Sequence, residues 1–138
     1  MLFNLISLFS LIVVIFPYCS SDGDFLECSK QELCGSEEGK RRALQCVFLL
    51  SQKDLDVMFE MLNRRYPDTN DMKDIFDEGC KDPSTFKENI DYYFEEKNKL
   101  DLSYTEEESG QILSSRACLA LMVSECQIKR AMSGLFGR

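Results

Sequence analysis

The sequence predicts an all-α fold, a small disulfide-bridged bundle of about five helices. Three observations predict it. Apolar residues recur at helical spacing through nearly all of the charged part of the chain. Strand signals are almost absent, since no Asn-Gly or similar dipeptide separates two alternating apolar runs. Six cysteines, Cys28, Cys34, Cys46, Cys80, Cys118 and Cys126, lie in that same charged part, the even number that a cross-linked domain requires.

The first helix is short. Asp24 is placed to cap it, Leu26, Ser29 and Leu33 follow its period, and Gly35 ends it. A second spans Glu37 to Ser51, with Ala43, Cys46, Val47 and Leu50 on one face. Ser51 and Asp54 offer caps for a third, whose stripe of Leu55, Met58, Phe59 and Leu62 is halted by Pro67. Next comes Asn70 to Glu78, with Met72, Ile75 and Phe76 inward and Gly79 as terminator. Asp82 before Pro83 is a start signal, a capping side chain followed by a residue that needs no N–H donor at the first helical position. The helix it opens carries Phe86, Ile90, Tyr93, Phe94 and Lys97 on one side. A loop over 98–104 precedes Thr105-x-x-Glu108, the pattern of a capping box. The last helix runs to Met132, and its segment ACLALMV (117–123) is apolar all round, which predicts the most buried element of the bundle.

Charge divides the chain in two. Residues 1–21 carry no charged side chain, while all 16 basic and 24 acidic residues follow from Asp22 onward. The apolar run from Leu2 to Phe16 has the length of a secretory leader core and is short for a membrane span, which takes roughly 20 residues. The expected organisation is a signal peptide over 1–21, cleaved after Cys19, Ser20 or Ser21, and one cysteine-rich helical domain over 22–138. That domain has 138 − 21 = 117 residues. Its net charge of −8 argues against nucleic acid as a partner, because phosphate binding needs clustered Lys and Arg. No later apolar run reaches spanning length, so membrane insertion of the mature chain is not expected.

In a secreted context the six cysteines predict three bridges. Their spacing contains no C-x-x-C pair and the chain has no His, which removes the usual zinc patterns. Six cysteines allow 15 pairings. Cys28 with Cys34 and Cys118 with Cys126 lie too far apart along single helices to bond, which leaves ten. The favoured solution is nested: Cys28–Cys126, Cys34–Cys118 and Cys46–Cys80, closing long loops that restrict the unfolded chain most.

Catalytic chemistry finds no foothold. Without His there is no Ser-His or Cys-His pair, no thiolate is left over from three bridges, and no cofactor or metal site is expected. The acidic stretches PDTND (67–71) and EEE (106–108) supply oxygen ligands, but the EF-hand spacing fails, since the twelfth residue from Asp68 is Gly79. They read as turns and caps. Phe86, Tyr92, Tyr93 and Phe94 in one helix, with Phe48, Phe59 and Phe76 elsewhere, are the material of a core or of an apolar ligand cavity. The clusters GKRR (39–42), RR (64–65) and KR (129–130) match processing sites, and the terminal Phe136-Gly137-Arg138 matches a substrate for trimming and amidation, with Gly137 donating the amide nitrogen to Phe136.

The stretch YPDTNDMKDIFDEGCKDPSTFKENIDYYF (66–94) resembles the helical, cysteine-rich secreted proteins of arthropod venom, saliva and haemolymph. That resemblance implies an extracellular, non-enzymatic protein and transfers no functional residue. The six-cysteine plan is similar to that of insect odorant-binding proteins, but Cys46 and Cys80 stand far apart where those have a close pair. It departs from saposin-like proteins in lacking their C-x-x-C opening.

The first functional expectation is a secreted, disulfide-stabilised binding protein, a venom or salivary-type effector acting on an extracellular protein target. The second is a carrier of a small apolar ligand within the bundle, whose structural signature is an internal cavity lined by Phe59, Phe86, Phe94 or Leu121. The third is a precursor of an amidated peptide.

Overall fold

The computed structural model describes residues 22–137, and the leader over 1–21, its cleavage after residue 19, 20 or 21, and Arg138 lie outside the described residues. Six α-helices follow in order: α1 (Asp22–Cys34), α2 (Glu37–Val47), α3 (Gln52–Arg65), α4 (Met72–Lys81), α5 (Phe86–Asn98) and α6 (Glu106–Phe136), with a 3-10 turn at Pro83–Thr85 before α5. Among the described residues there is no strand. The fold is an all-α bundle.

Local chemistry sets most helix starts. Ser36, Ser51, Asp71 and Thr105 are extended and accept from the backbone N–H three residues on, at 3.0, 3.2, 2.8 and 3.1 Å. At α6 the reciprocal bond, Thr105 N–H to Glu108 Oε2 at 2.9 Å, completes the capping box. Asp82 accepts from the Ser84 N–H, and Pro83 opens the 3-10 turn that leads into α5.

Four expectations are corrected. Asp24 lies inside α1 rather than capping it. Helix α2 stops at Val47 because Ser51 is extended (φ −62°, ψ 156°) to cap α3, so residues 48–50 turn instead of continuing the helix. Gly79 lies within α4 and terminates nothing. The helix begins after the Asp71 cap and ends where Asp82 takes extended φ before Pro83, as the ring of a following proline demands. Finally, α6 is neither central nor buried all round. Met122, Val123 and Cys126 face the body, while Leu121 on the other side is 67% exposed. A single helix at the edge of a bundle can bury only one stripe, whatever its composition.

Helices α1, α2 and α6 pack together as one frame, and α4 lies against α1, α2 and α3. Helix α5 packs on α3 and α4. The largest core cluster, Leu44, Val47, Met72 and Ile75, sits where α2, α3 and α4 meet. A second, Ala43, Cys46 and Met122, joins α2 to α6.

The disulfides follow this packing. Cys28–Cys126 links α1 to α6 (Cα–Cα 5.7 Å), as the nested scheme has it. The other two nested pairs are corrected: Cys34 bonds Cys80 (5.3 Å) and Cys46 bonds Cys118 (5.4 Å). The inner bridges therefore cross. Cys34 ends α1 where the end of α4 passes, close enough for Cys80 Sγ to reach the Leu33 carbonyl. Cys46 and Cys118 meet within the α2–α6 seam. Loop entropy barely separates the alternatives, because its cost grows only logarithmically with length. Helix packing decides.

Candidate ligand-binding cleft

Close-packed interiors leave few voids larger than a water molecule. This bundle has a cavity of about 510 Å³ to which every helix contributes. Its floor is made by Ala43, Val47, Ile75 and Met122, all buried. Helix α5 lines it with Phe86, Ile90 and Tyr93, α1 with Leu33, and α6 with Leu119 and Val123. At the rim stand Phe25 and Phe94, 50% and 46% exposed, beside Ala120 and Arg116, also exposed. The cleft thus opens between α5 and the α1–α6 pair. Its size falls in the range of small-molecule sites, roughly 300–1,000 Å³.

The lining is nearly all apolar. Polar groups enter at a few points. Asn89 of α5 donates from Nδ2 to the Tyr66 hydroxyl at 2.6 Å and to Thr85 Oγ1 at 3.3 Å, while its buried Oδ1 has no hydrogen-bond partner. Tyr93 lies 5.1 Å from Phe94, ring centre to ring centre, and burial pushes its phenol up to about 12, with the charge of Asp54 adding to the shift.

Beyond the Tyr93 end of the cleft, the carboxylate of Asp54 is fully buried. It accepts from Ser51 Oγ (3.1 Å), Tyr104 hydroxyl (3.0 Å) and Lys97 Nζ (3.3 Å). The Lys97 ammonium lies over the rings of Tyr93 and Tyr104, at 5.7 and 5.6 Å from their centres. Lys53 bonds the Ser103 carbonyl and approaches Glu108 at 3.4 Å. This knot holds α3, α5, the 99–105 loop and the start of α6 to one another.

Of the aromatic residues singled out in the sequence, Phe76, Phe86, Tyr93 and Phe94 line the cleft. Phe59 instead packs against the α2–α3–α4 core, Phe48 is exposed, and Tyr92 lies outside beneath the Arg65 guanidinium at 4.9 Å. Leu121 faces solvent, away from the cavity. Tyr66, Asn89 and Arg116 were not anticipated. Tyr66 follows the last residue of α3, Asn89 sits on α5 and Arg116 is exposed on α6, and only the orientation of those helices brings the three to the cleft.

The other motifs have local partners. In PDTND, Thr69 receives Asn63 Nδ2 at both its carbonyl and its hydroxyl (3.0 Å each), and Asp71 caps α4. Glu108 caps α6. Among the described residues no group of three or more metal-ligating side chains is assembled. In GKRR, Lys40 is buried between Asp77 and Glu37. Asp77 holds its ammonium above the usual range, and Lys40, then Lys73, hold the Asp77 carboxyl below it. Arg41 pairs with Glu38, and Arg42 with Glu125 at 2.9 Å. Arg64 and Arg65 pair with Glu60 and Glu88, and Arg130 with Asp24 at 3.1 Å. Each of these clusters lies within a helix. Phe136 is the last residue of α6 and exposed, and the Gly137 N–H donates to the Ser133 carbonyl.

Three bridges are consistent with an extracellular protein, since disulfides persist in oxidising surroundings. Among the described residues no helix is long and apolar enough to cross a membrane. The chain matches no protein-family model, no curated protein and no solved structure.

Proposed function

We propose that this chain is a secreted, non-enzymatic carrier of a small apolar ligand, bound in the cleft between α5 and the α1–α6 pair. The observation that carries the reading is the 510 Å³ apolar cavity with its rim of Phe25 and Phe94. A well-packed bundle of this size has no structural need for such a space, which forfeits the dispersion contacts that lining atoms would otherwise make. Disulfides suit an extracellular carrier, since they hold the frame of the cavity while the occupant changes.

The test is saturable binding of an apolar fluorescent probe to the oxidised protein, with Ala120→Trp as the control. Ala120 is exposed at the mouth, so the larger side chain obstructs entry without disturbing the core. Loss of probe binding at an unchanged melting temperature supports the carrier. Probe binding that does not saturate, or that Ala120→Trp leaves unaltered, refutes it.

A second reading, the effector acting on an extracellular protein, draws on the outer face of α6. Leu121, Ile128 and Leu135 recur there every seven residues, all exposed, the spacing of a helix-pairing seam. Leu121→Glu with Ile128→Glu would abolish capture of a protein partner and spare ligand binding. Capture unaffected by both changes would retire this reading.

A further inference from the structure

We infer that the ligand of this cleft is an amphiphilic carboxylate, its head held by the Arg116 guanidinium and its hydrocarbon chain in the apolar cavity. The inference rests on the carrier reading and specifies the chemistry of its ligand. It starts from the partners of the arginines. Acidic residues outnumber basic ones in this chain, 24 to 16, so an arginine on its surface has carboxylates within easy reach. Arg41, Arg42, Arg64, Arg65 and Arg130 each hold one. Arg116 is the exception, with neither an ion pair nor a hydrogen bond among the described residues. It is also the arginine that lines the cavity.

Position and chemistry agree. Arg116 stands one helical turn before Ala120 at the mouth and is exposed, so its charge stays hydrated. That charge acts at the Tyr93 end of the cleft. Burial and then Asp54 push the Tyr93 phenol up, and Arg116 is the group that opposes them. The Tyr93 hydroxyl has no hydrogen-bond partner among the described residues, which leaves a second donor at the same end. A guanidinium presents paired N–H groups that match the two oxygens of a carboxylate. An ammonium head would meet Arg116 as a like charge, and the one carboxylate in the lining, Glu32, lies in the field of Arg42. A neutral head would leave the guanidinium without a counter-charge. The net charge of −8 opposes an approaching anion only weakly, since exposed charges are screened beyond about 8–10 Å, so the contact at Arg116 decides.

The experiment measures displacement of the fluorescent probe by dodecanoate and by dodecanol, each below its aggregation concentration, at neutral pH. Equal chains make the carboxylate-to-alcohol affinity ratio a measure of the head alone. A charge-assisted hydrogen bond at a hydrated rim corresponds to about a five- to tenfold change. The ratio is therefore expected to fall about five- to tenfold on Arg116→Gln. Arg116→Met repeats the comparison if Gln disturbs the melting curve. Arg64→Gln makes the same change in net charge at an exposed pair on α3 and should leave the ratio at its wild-type value. A ratio that the Arg116 variants do not lower, or that Arg64→Gln lowers as far, overturns the inference and leaves the carrier intact. Absence of saturable binding by both ligands to wild type overturns the carrier reading as well.

Discussion

Lys97→Met is the perturbation from which the buried ion pair predicts most. Asp54 is 1% exposed and its side chain has no solvent access, whereas the Lys97 side chain retains 16%. Methionine preserves the apolar stem of Lys97 and deletes the charge. Asp54 then keeps two neutral donors, Ser51 and Tyr104, and no cation. Breaking a buried pair from one side costs roughly 3–5 kcal/mol, mostly because the remaining charge is uncompensated. A domain of this size has roughly 6–17 kcal/mol to lose. Urea unfolding of the oxidised protein at neutral pH measures the loss as a fall in midpoint at constant slope. Asp54→Asn should cost less, since the ammonium has a route to water and the carboxylate has none. Lys97→Met with Asp54→Asn should recover part of the stability that Lys97→Met removes. A loss below about 1 kcal/mol, the value of an exposed pair, with no recovery in the double variant, would refute the claim that this carboxylate depends on its lysine.

Three further outcomes are expected. In a spectrophotometric titration Tyr93 should ionise near 12, above the ordinary range of a phenol. Its folded value lies above the unfolded one, so its contribution to stability is complete below pH 10 and is lost as pH rises toward 12, which alkaline melting curves would show. Two of the helical glycines, Gly39 and Gly79, should respond oppositely to alanine. A Cβ at Gly39 would lie 1.9 Å from the Glu32 carbonyl oxygen, so Gly39→Ala must part α1 from α2, whereas at Gly79 it would meet only the Tyr66 hydroxyl at 3.8 Å and should raise stability by about 0.5–1 kcal/mol in thermal melts. Peptide mapping should recover Cys34 joined to Cys80, a bridge 46 residues apart in sequence, and replacing both by Ala should cost about 4 kcal/mol in the chain-entropy model.

The fold class was legible because its determinants are local. Ser51, Asp82 before Pro83, and the Thr105–Glu108 box each act within four residues, and all cap as their sequence context indicates. The connectivity of Cys34 and Cys46 was not legible, because it depends on which helix passes which, and loop length hardly discriminates among long loops. The segment ACLALMV shows the same limit. Composition reports how apolar a helix is, while exposure of Leu121 depends on whether a neighbour exists on that side. The cleft sits between these cases. Phe86, Ile90, Tyr93 and Phe94 share one face of α5 in sequence as in structure. That they border a cavity and not a filled core is set by the separation of α5 from α6, which no short-range pattern encodes. The amide of Asn89 was invisible for the same reason.

The distribution of cross-links bears on how such a cleft could open. Cysteines stand in α1, α2, α4 and α6 and in neither α3 nor α5. The bridged helices therefore form a covalent frame, while the wall that carries Phe86, Asn89 and Phe94 is held by packing on α3 and α4 and by the Asp54–Lys97 knot at its far end. An opening that widens the mouth at Phe25 and Phe94 can leave every bridge intact, and moving α5 needs no covalent strain. Local unfolding follows the weakest cooperative unit, so amide hydrogens of α5 should exchange faster than those of α1, α2 and the bridged part of α6 (118–126). Lys97→Met should speed exchange in α5 selectively, and a bound apolar ligand should slow it there first. Equal protection of α5 and α6, unaltered by Lys97→Met, would mean that the cleft opens only by global unfolding.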